Sequence, residues 1–130
     1  IFLFGLTGAP AAQPRALFGG HLLSAFVGII CYQLFADALW VYLLAEVITI
    51  VLLLLTQTVH PPAGANPLIM IHAHAGFSHL LLVVLTGITI LAIVTAIWSR
   101  LTPGKVLHYP VKWNDPSPPS KNWGVWSGSS

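Results

Sequence analysis

The sequence predicts an all-α membrane protein, a compact helical bundle in which proline-broken half-helices join three transmembrane helices. Of its 130 residues, 56% are hydrophobic and only 6% are charged, and the mean hydropathy is +0.84. Because soluble domains carry charge on roughly a quarter of their residues, this composition excludes most soluble enzymes and predicts a lipid bilayer as the surrounding. A net charge of +2 is too small to neutralise the phosphates of a nucleic-acid backbone, so no nucleic-acid partner is expected.

Three apolar runs are long enough to cross a bilayer as helices, which takes about 20 residues. They cover residues 16–35, 38–55 and 80–98. The short connection between the first two predicts an antiparallel hairpin. On the first helix, small residues recur every four positions at Gly20, Ser24 and Gly28. This ridge either lets another helix approach closely or reflects residues that are common in membrane helices.

Residues 1–100 are predicted to form the transmembrane domain, and residues 101–130 an interfacial or aqueous tail rich in Pro and Trp. Trp113, Trp123 and Trp126 are expected to hold this tail along the membrane surface or a partner.

The basic residues predict the orientation of the bundle. Four of the five follow the last helix, namely Arg100, Lys105, Lys112 and Lys121, which places the tail on the cytoplasmic or stromal side. With three crossings, Asp37 is expected on the side of the tail. Arg15 and the histidine-rich loop 60–79 are expected toward the opposite face or in the membrane.

Two proline-punctuated segments are candidates for function, since broken helices flanking apolar runs mark transport sites. In the first segment, Pro14 fits the first position of a helix, and Gln13 immediately precedes that helix. In the second, Pro61 and Pro62 end the second helix, and Asn66 is expected to cap a short helix over residues 67–75.

Each segment is expected to present a helix N-terminus, which attracts small anions through free N–H groups and the helix dipole. Arg15 and His60 add side-chain donors. A simpler alternative is that Arg15 extends to the lipid headgroups.

The second helix carries a polar stripe of Glu46, Thr49, Thr56, Gln57 and His60. A carboxylate such as Glu46 needs a proton, a partner or a cavity inside a membrane. It can pair with Arg15 or a histidine, form a structural interhelical hydrogen bond, or take part in a proton-coupled step.

The histidines allow two further interpretations. His60, His72, His74 and His79 have no Cys, Asp or Glu near them in the loop, so no metal site is expected. His21, His74 or His79 can alternatively ligate a tetrapyrrole. No nucleophile stands at recognisable spacing from a base and an acid, so an enzyme is not expected.

The motifs at residues 12–25 and 55–67, the second containing His60-Pro61-Pro62, resemble the HPP family of integral membrane proteins. The resemblance covers roughly residues 1–100 and implies a four-helix protein whose first helix precedes this chain. It implies a chloroplast envelope, another plastid membrane or a bacterial inner membrane as the location, because plant members are regarded as nitrite transporters of the chloroplast envelope. It also implies a set of substrate-binding residues: Gln13, Arg15, His21, Thr58, His60 and Asn66.

The leading hypothesis is therefore transport of a small anion, most simply nitrite, without a cofactor and with Glu46 as the candidate for proton coupling. The alternative is a structural or accessory subunit of a larger membrane complex that binds pigment or lipid. A homo-oligomer or a larger complex is expected in either case.

Overall fold

The chain forms an all-helical bundle in the computed structural model, which describes residues 2–104, 107–116 and 118. A short helix α1 (Phe2–Gly5) and a 3-10 turn at Pro10–Ala12 precede the long helix α2 (Pro14–Phe35). There follow α3 (Leu39–Thr56), a 3-10 turn at Pro61–Ala65, the short helix α4 (Asn66–His72) and the long helix α5 (Phe77–Leu101), which contains a π-helical stretch at Leu80–Leu85. Three of these helices, α2, α3 and α5, are long and apolar enough to cross a membrane. The predicted fold class and the three predicted helices are confirmed.

The helix ends follow from local chemistry. Pro14 begins α2, where its missing N–H costs nothing. The α2–α3 hairpin turns within three residues, and Ala36 takes a positive φ of 63° there. At the end of α3, Gln57 adopts the left-handed conformation, and its N–H donates to carbonyls of the last helical turn.

The small-residue ridge of α2 is the surface on which α4 packs. A Cβ atom built on Gly28 would lie 2.7 Å from Pro67 Cα, far closer than real side chains approach. Ser24 is fully buried and donates to the Gly20 carbonyl oxygen at 2.7 Å. The close helix approach predicted from the ridge is therefore confirmed.

The segment 58–74 runs alongside α2 and in the same direction. Its beginning lies against Gly19, where an added Cβ would be 2.8 Å from Thr58 Cγ2. Its end reaches the α2–α3 turn, where His74 Nε2 lies 3.0 Å from Asp37 Oδ2. The 13 residues of α2 between Gly19 and Tyr32, which stacks on His74, rise about 20 Å at 1.5 Å per residue. The broken segment therefore traverses most of the bundle.

Because the broken segment crosses the bundle, Arg15 lies at the end opposite to the predicted one. Because segment 58–74 crosses from the start of α2 to its end, α5 runs back toward the start of α2. The tail meets that same end, since Arg15 Nη1 lies 3.3 Å from Asn114 Oδ1. The predictions that Arg15 lies opposite the tail and that Asp37 lies on the side of the tail were both wrong. They counted three crossings and treated the fourth as a loop. The described basic residues, Arg15, Arg100 and Lys112, thus share one end, as the positive-inside rule favours.

The first part of the tail packs on the bundle. Tyr109 is 1% exposed and lies in a cluster with Leu3, Leu17 and Ile88, whereas Trp113 is exposed. Lys105, Lys121, Trp123 and Trp126 lie outside the described residues. The domain boundary at residue 100 stays a prediction.

Asn66 does not cap a helix. The chain already turns as a 3-10 helix from Pro61, and Asn66 itself has helical angles, with φ −61° and ψ −42°. Pro67 occupies the second position of α4, as the proline pattern predicts. The Asn66 side chain is thereby free to interact with α2.

Candidate functional site

A pair of histidines lies inside the bundle where segment 58–74 begins to pack on α2. His60 is 1% exposed, and its Nδ1 lies 2.6 Å from the Ala11 carbonyl oxygen. The ring centres of His60 and His21 are 5.0 Å apart, and Phe2 meets the His60 ring edge-on at 5.4 Å. Gly20 makes this approach possible, because a Cβ there would lie 2.9 Å from His60 Cβ.

Asn66 fixes the second ring. Its side-chain nitrogen lies 2.8 Å from His21 Nδ1 and 3.1 Å from the His21 carbonyl oxygen. A carbonyl oxygen only accepts hydrogen bonds, so this amide nitrogen is the donor. Asn66 thus serves as an interhelical bridge between α4 and α2.

The two rings line a cavity of about 180 Å³. The remaining walls are apolar and come from residues 2–4, Pro62 and Leu91. No charged side chain lines this cavity among the residues that the structure describes. A single water occupies about 30 Å³ in the liquid, so the space suits a molecule of a few heavy atoms.

A second cavity, of about 290 Å³, is also lined by His60 and includes Glu46 in its wall. The Glu46 Oε2 atom is buried and has no hydrogen-bond partner within the described part of the chain. The predicted pairing of Glu46 with Arg15 or a histidine does not occur there. Thr49, from the same polar stripe, is fully buried, whereas Thr56 is exposed.

Gln13 holds the N-terminal segment and the tail to the start of α2. Its Nε2 donates to the carbonyl oxygens of Thr7 and Ala9 at 2.8 and 2.9 Å. Its Oε1 accepts from the backbone N–H groups of Val111 and Lys112 at 2.8 and 3.1 Å. These four bonds use all the hydrogen-bonding capacity of the amide.

Arg15 and Thr58 lie near Gln13 at the tail end of the bundle. The Arg15 guanidinium donates to the Thr56 carbonyl oxygen at 3.1 Å, at the C-terminal end of α3 where the helix dipole is negative. Its Nε is buried and has no partner among the residues described. Thr58 Oγ1 lies 2.7 Å from Thr56 Oγ1.

The six predicted site residues therefore fall into two groups. His21, His60 and Asn66 come together, whereas Gln13, Arg15 and Thr58 lie toward the tail end. The helical N-terminus of the second proline segment, which begins at Pro61, offers few hydrogen-bond donors. Pro61 and Pro62 lack N–H groups, and the Ala63 N–H donates to the His60 carbonyl oxygen at 2.9 Å. The side chains, more than the second N-terminus, give this region its polarity.

The family model for the HPP transmembrane region matches residues 1–110. This chain belongs to the HPP family. Together with the three long apolar helices, that membership makes it an integral membrane protein. The resemblance carried by the two proline motifs is thus confirmed.

The HPP chain is also similar to two transmembrane proteins of Dictyostelium discoideum. It is 30% identical to one over 121 residues, covering 87% of this chain and 42% of that protein. It is 31% identical to the other over 121 residues, covering 87% of this chain and 38% of that protein. The chain thus spans about two fifths of the length of these relatives. No solved structure matches it.

Two features of this HPP chain could not be found from sequence patterns. The Ala11 carbonyl that binds His60 is a backbone atom and leaves no trace in residue type. His74 and Asp37 meet at the opposite end of the bundle, and the hydrogen bond from His74 lowers the pKa of the Asp37 carboxyl below its usual range. No group of three His, Cys, Asp or Glu side chains suited to a metal ion occurs in the described ranges.

Proposed function

We propose that this chain carries a small anion across a membrane and that the His21–His60–Asn66 cluster is its binding site. The observation that carries this proposal is the buried polar cluster beside a cavity of about 180 Å³. Polar groups inside a membrane bundle are costly and usually mark a substrate or ion path. Nitrite is the first candidate because plant members of the family that this chain resembles are regarded as nitrite transporters.

The discontinuous segment 58–74 supports transport as the function. Transporter sites form where a membrane helix is interrupted, because the interruption releases polar groups near the middle of the bilayer. Here the interruption at Pro61 and Pro62 brings His60 against α2. A catalytic role has no comparable support, so we expect transport and not catalysis.

The remaining predicted residues have roles around this cluster in the proposal. Arg15 lies at the end where the described basic residues gather, and such a positive end attracts anions toward the bundle. Gln13 and Thr58 hold the segments at the same end of the bundle together. Glu46 is the candidate for proton coupling, because its cavity also touches His60.

Nitrite uptake into proteoliposomes that contain the full-length protein tests this proposal. We expect protein-dependent uptake that falls at least tenfold in His21→Ala, which removes one ring of the cluster and the hydrogen bond between that ring and Asn66. His72→Ala is the matched control, since His72 is an exposed histidine at the end of α4, and it should transport normally. Equal uptake by both variants and wild type would show that the cluster is not the site.

A specific observation also favours an assembly. Pro61, Pro62 and Ala65 are exposed although they belong to the segment that packs along α2. Irregular backbone is not left facing lipid, because its polar groups would lack partners. We therefore propose that a second copy or a larger complex covers this face and the nearby Glu46.

Purification in mild detergent distinguishes the forms of such an assembly. A colourless homo-oligomer agrees with a transporter. Larger co-purifying subunits, or tetrapyrrole absorbance, would favour the accessory-subunit role with bound pigment or lipid. Fractionation of cells from the source organism tests the expected chloroplast envelope, other plastid membrane or bacterial inner membrane.

A further inference from the structure

The hydrogen bond from His60 to Ala11 determines which nitrogen of the His60 ring carries the proton. The Ala11 carbonyl oxygen only accepts, so the Nδ1 atom at 2.6 Å must be the donor. A neutral imidazole has one protonated nitrogen. The Nε2 atom of neutral His60 is therefore a hydrogen-bond acceptor.

Asn66 imposes the opposite arrangement on His21. Its amide nitrogen donates one hydrogen to the His21 carbonyl oxygen and has its second hydrogen available for His21 Nδ1 at 2.8 Å. Nδ1 therefore accepts, and neutral His21 carries its proton on Nε2. The two rings thus differ in the character of their remaining nitrogens.

The two rings that line the cavity therefore have one donor and one acceptor among their remaining nitrogens. Both rings line it, their centres are 5.0 Å apart, and no hydrogen bond joins them within the described chain. A bare oxyanion has acceptor atoms only, so its oxygen would face the lone pair of His60 Nε2. The apolar walls would also leave such an anion poorly solvated, which disfavours its binding relative to water.

We propose that this cavity binds a small oxyacid in its protonated, uncharged form. The acid O–H donates to His60 Nε2, and its second oxygen accepts from His21 Nε2–H. This inference rests on the proposed function and specifies the transported species, an anion together with one proton. If the proton passes from the acid oxygen to His60 Nε2, an imidazolium and an oxyanion form, and the pair still has no net charge.

The titratable groups around His60 are compatible with this arrangement. His21 faces it from α2, and Glu46 faces it from α3 across the second cavity. A protonated Glu46 adds no charge to the site, and an ionised one further disfavours a bare anion. Whether Glu46 is protonated or ionised, cotransport of the anion with one proton moves no net charge across the membrane.

The test is nitrite uptake into proteoliposomes of the full-length protein, with the membrane potential clamped by potassium and valinomycin and a pH indicator inside. After subtraction of protein-free vesicles, we expect the rate to stay within twofold between 0 and −100 mV and the lumen to gain one proton per nitrite. A bare anion would instead change the rate by up to about 50-fold, because one charge is worth about 2.3 kcal/mol per 100 mV. Such voltage dependence, or uptake without acidification, overturns the inference but leaves anion transport standing. An absence of protein-dependent uptake overturns both proposals.

The His60→Asn variant distinguishes the roles of the two ring nitrogens of His60. The Asn amide can still donate to the Ala11 carbonyl oxygen, but the acceptor that faces the cavity is lost, so we expect uptake to fall at least tenfold with the fold retained. His72→Asn, the same change at an exposed histidine, should be silent. Equal uptake by the two variants overturns the assignment of His60, and the voltage measurement on the wild-type protein remains decisive if His60→Asn fails to fold.

Discussion

Replacement of Gly28 by alanine tests the packing that brings segment 58–74 onto α2. The new methyl carbon would lie 2.7 Å from Pro67 Cα, 2.8 Å from the Pro67 carbonyl oxygen and 3.0 Å from Met70 Cβ. Two of these atoms are backbone, so relief requires α4 to move away from α2. Overpacking of this kind costs about 1–3 kcal/mol, whereas Gly to Ala within a helix gains about 0.5–1 kcal/mol. We expect a net loss of up to about 2.5 kcal/mol in the free energy of unfolding.

Gly87→Ala is the matched control for this substitution. Gly87 lies in α5, and a Cβ there would have no heavy atom within 4 Å. The helix term alone remains, so this variant should gain about 0.5–1 kcal/mol. Unfolding in detergent micelles, followed by circular dichroism during an SDS titration, compares the two. If Gly28→Ala is as stable as Gly87→Ala, the close packing of α4 on α2 is refuted.

Three further predictions concern the ends of the bundle. Gln13→Leu should lower the free energy of unfolding by about 2–4 kcal/mol, because it removes four buried or partly buried hydrogen bonds to the backbone. Faster trypsin cleavage after Lys112 would show that the tail is released. Tyr109→Phe should leave thermal stability within about 1 kcal/mol of wild type, since the buried Tyr109 hydroxyl has no partner in the described chain, and a larger loss in a melting experiment would mean that the hydroxyl is bound. The lowered pKa of Asp37, caused first by the hydrogen bond from His74, contributes stability above the ordinary value of about 4, and this contribution is lost as the pH falls through the lowered value. Melting temperatures measured from pH 3 to 6 should therefore fall less steeply for Asp37→Asn than for wild type, and identical profiles would contradict this linkage.

The long helices could be predicted because each is a continuous apolar run, a signal that does not depend on the rest of the fold. The existence of the broken segment was equally visible in Pro61 and Pro62. The path of this segment could not be predicted, because the orientation of a seven-residue helix depends on the surface against which it packs. That surface is the row of small residues on α2, and the sequence does not say which neighbour will occupy it. The predicted position of Arg15 relative to the tail was wrong because the path of this segment was not known.

The candidate site shows the same division. His21, His60 and Asn66 were all selected from the two proline motifs, and the structure brings them together. Gln13 was selected from the first of these motifs, yet its amide is fully used in binding backbone groups of the N-terminal segment and the tail. A sequence motif records that a polar residue is needed at a position, but it does not distinguish a ligand contact from a bond to the protein's own backbone.

Gly20 connects the fold to the site. Its missing Cβ leaves the space that His60 fills, and the Thr58 carbonyl oxygen would lie only 3.0 Å from a Cβ at this position. A side chain at Gly20 would therefore move the start of segment 58–74 away from α2 and separate His60 from His21. The complementary donor and acceptor need both rings against one cavity, so the same close packing that orders the broken segment also creates the proposed binding chemistry. Under the proposed function, stability and transport are therefore coupled through one surface, the face of α2 on which segment 58–74 packs.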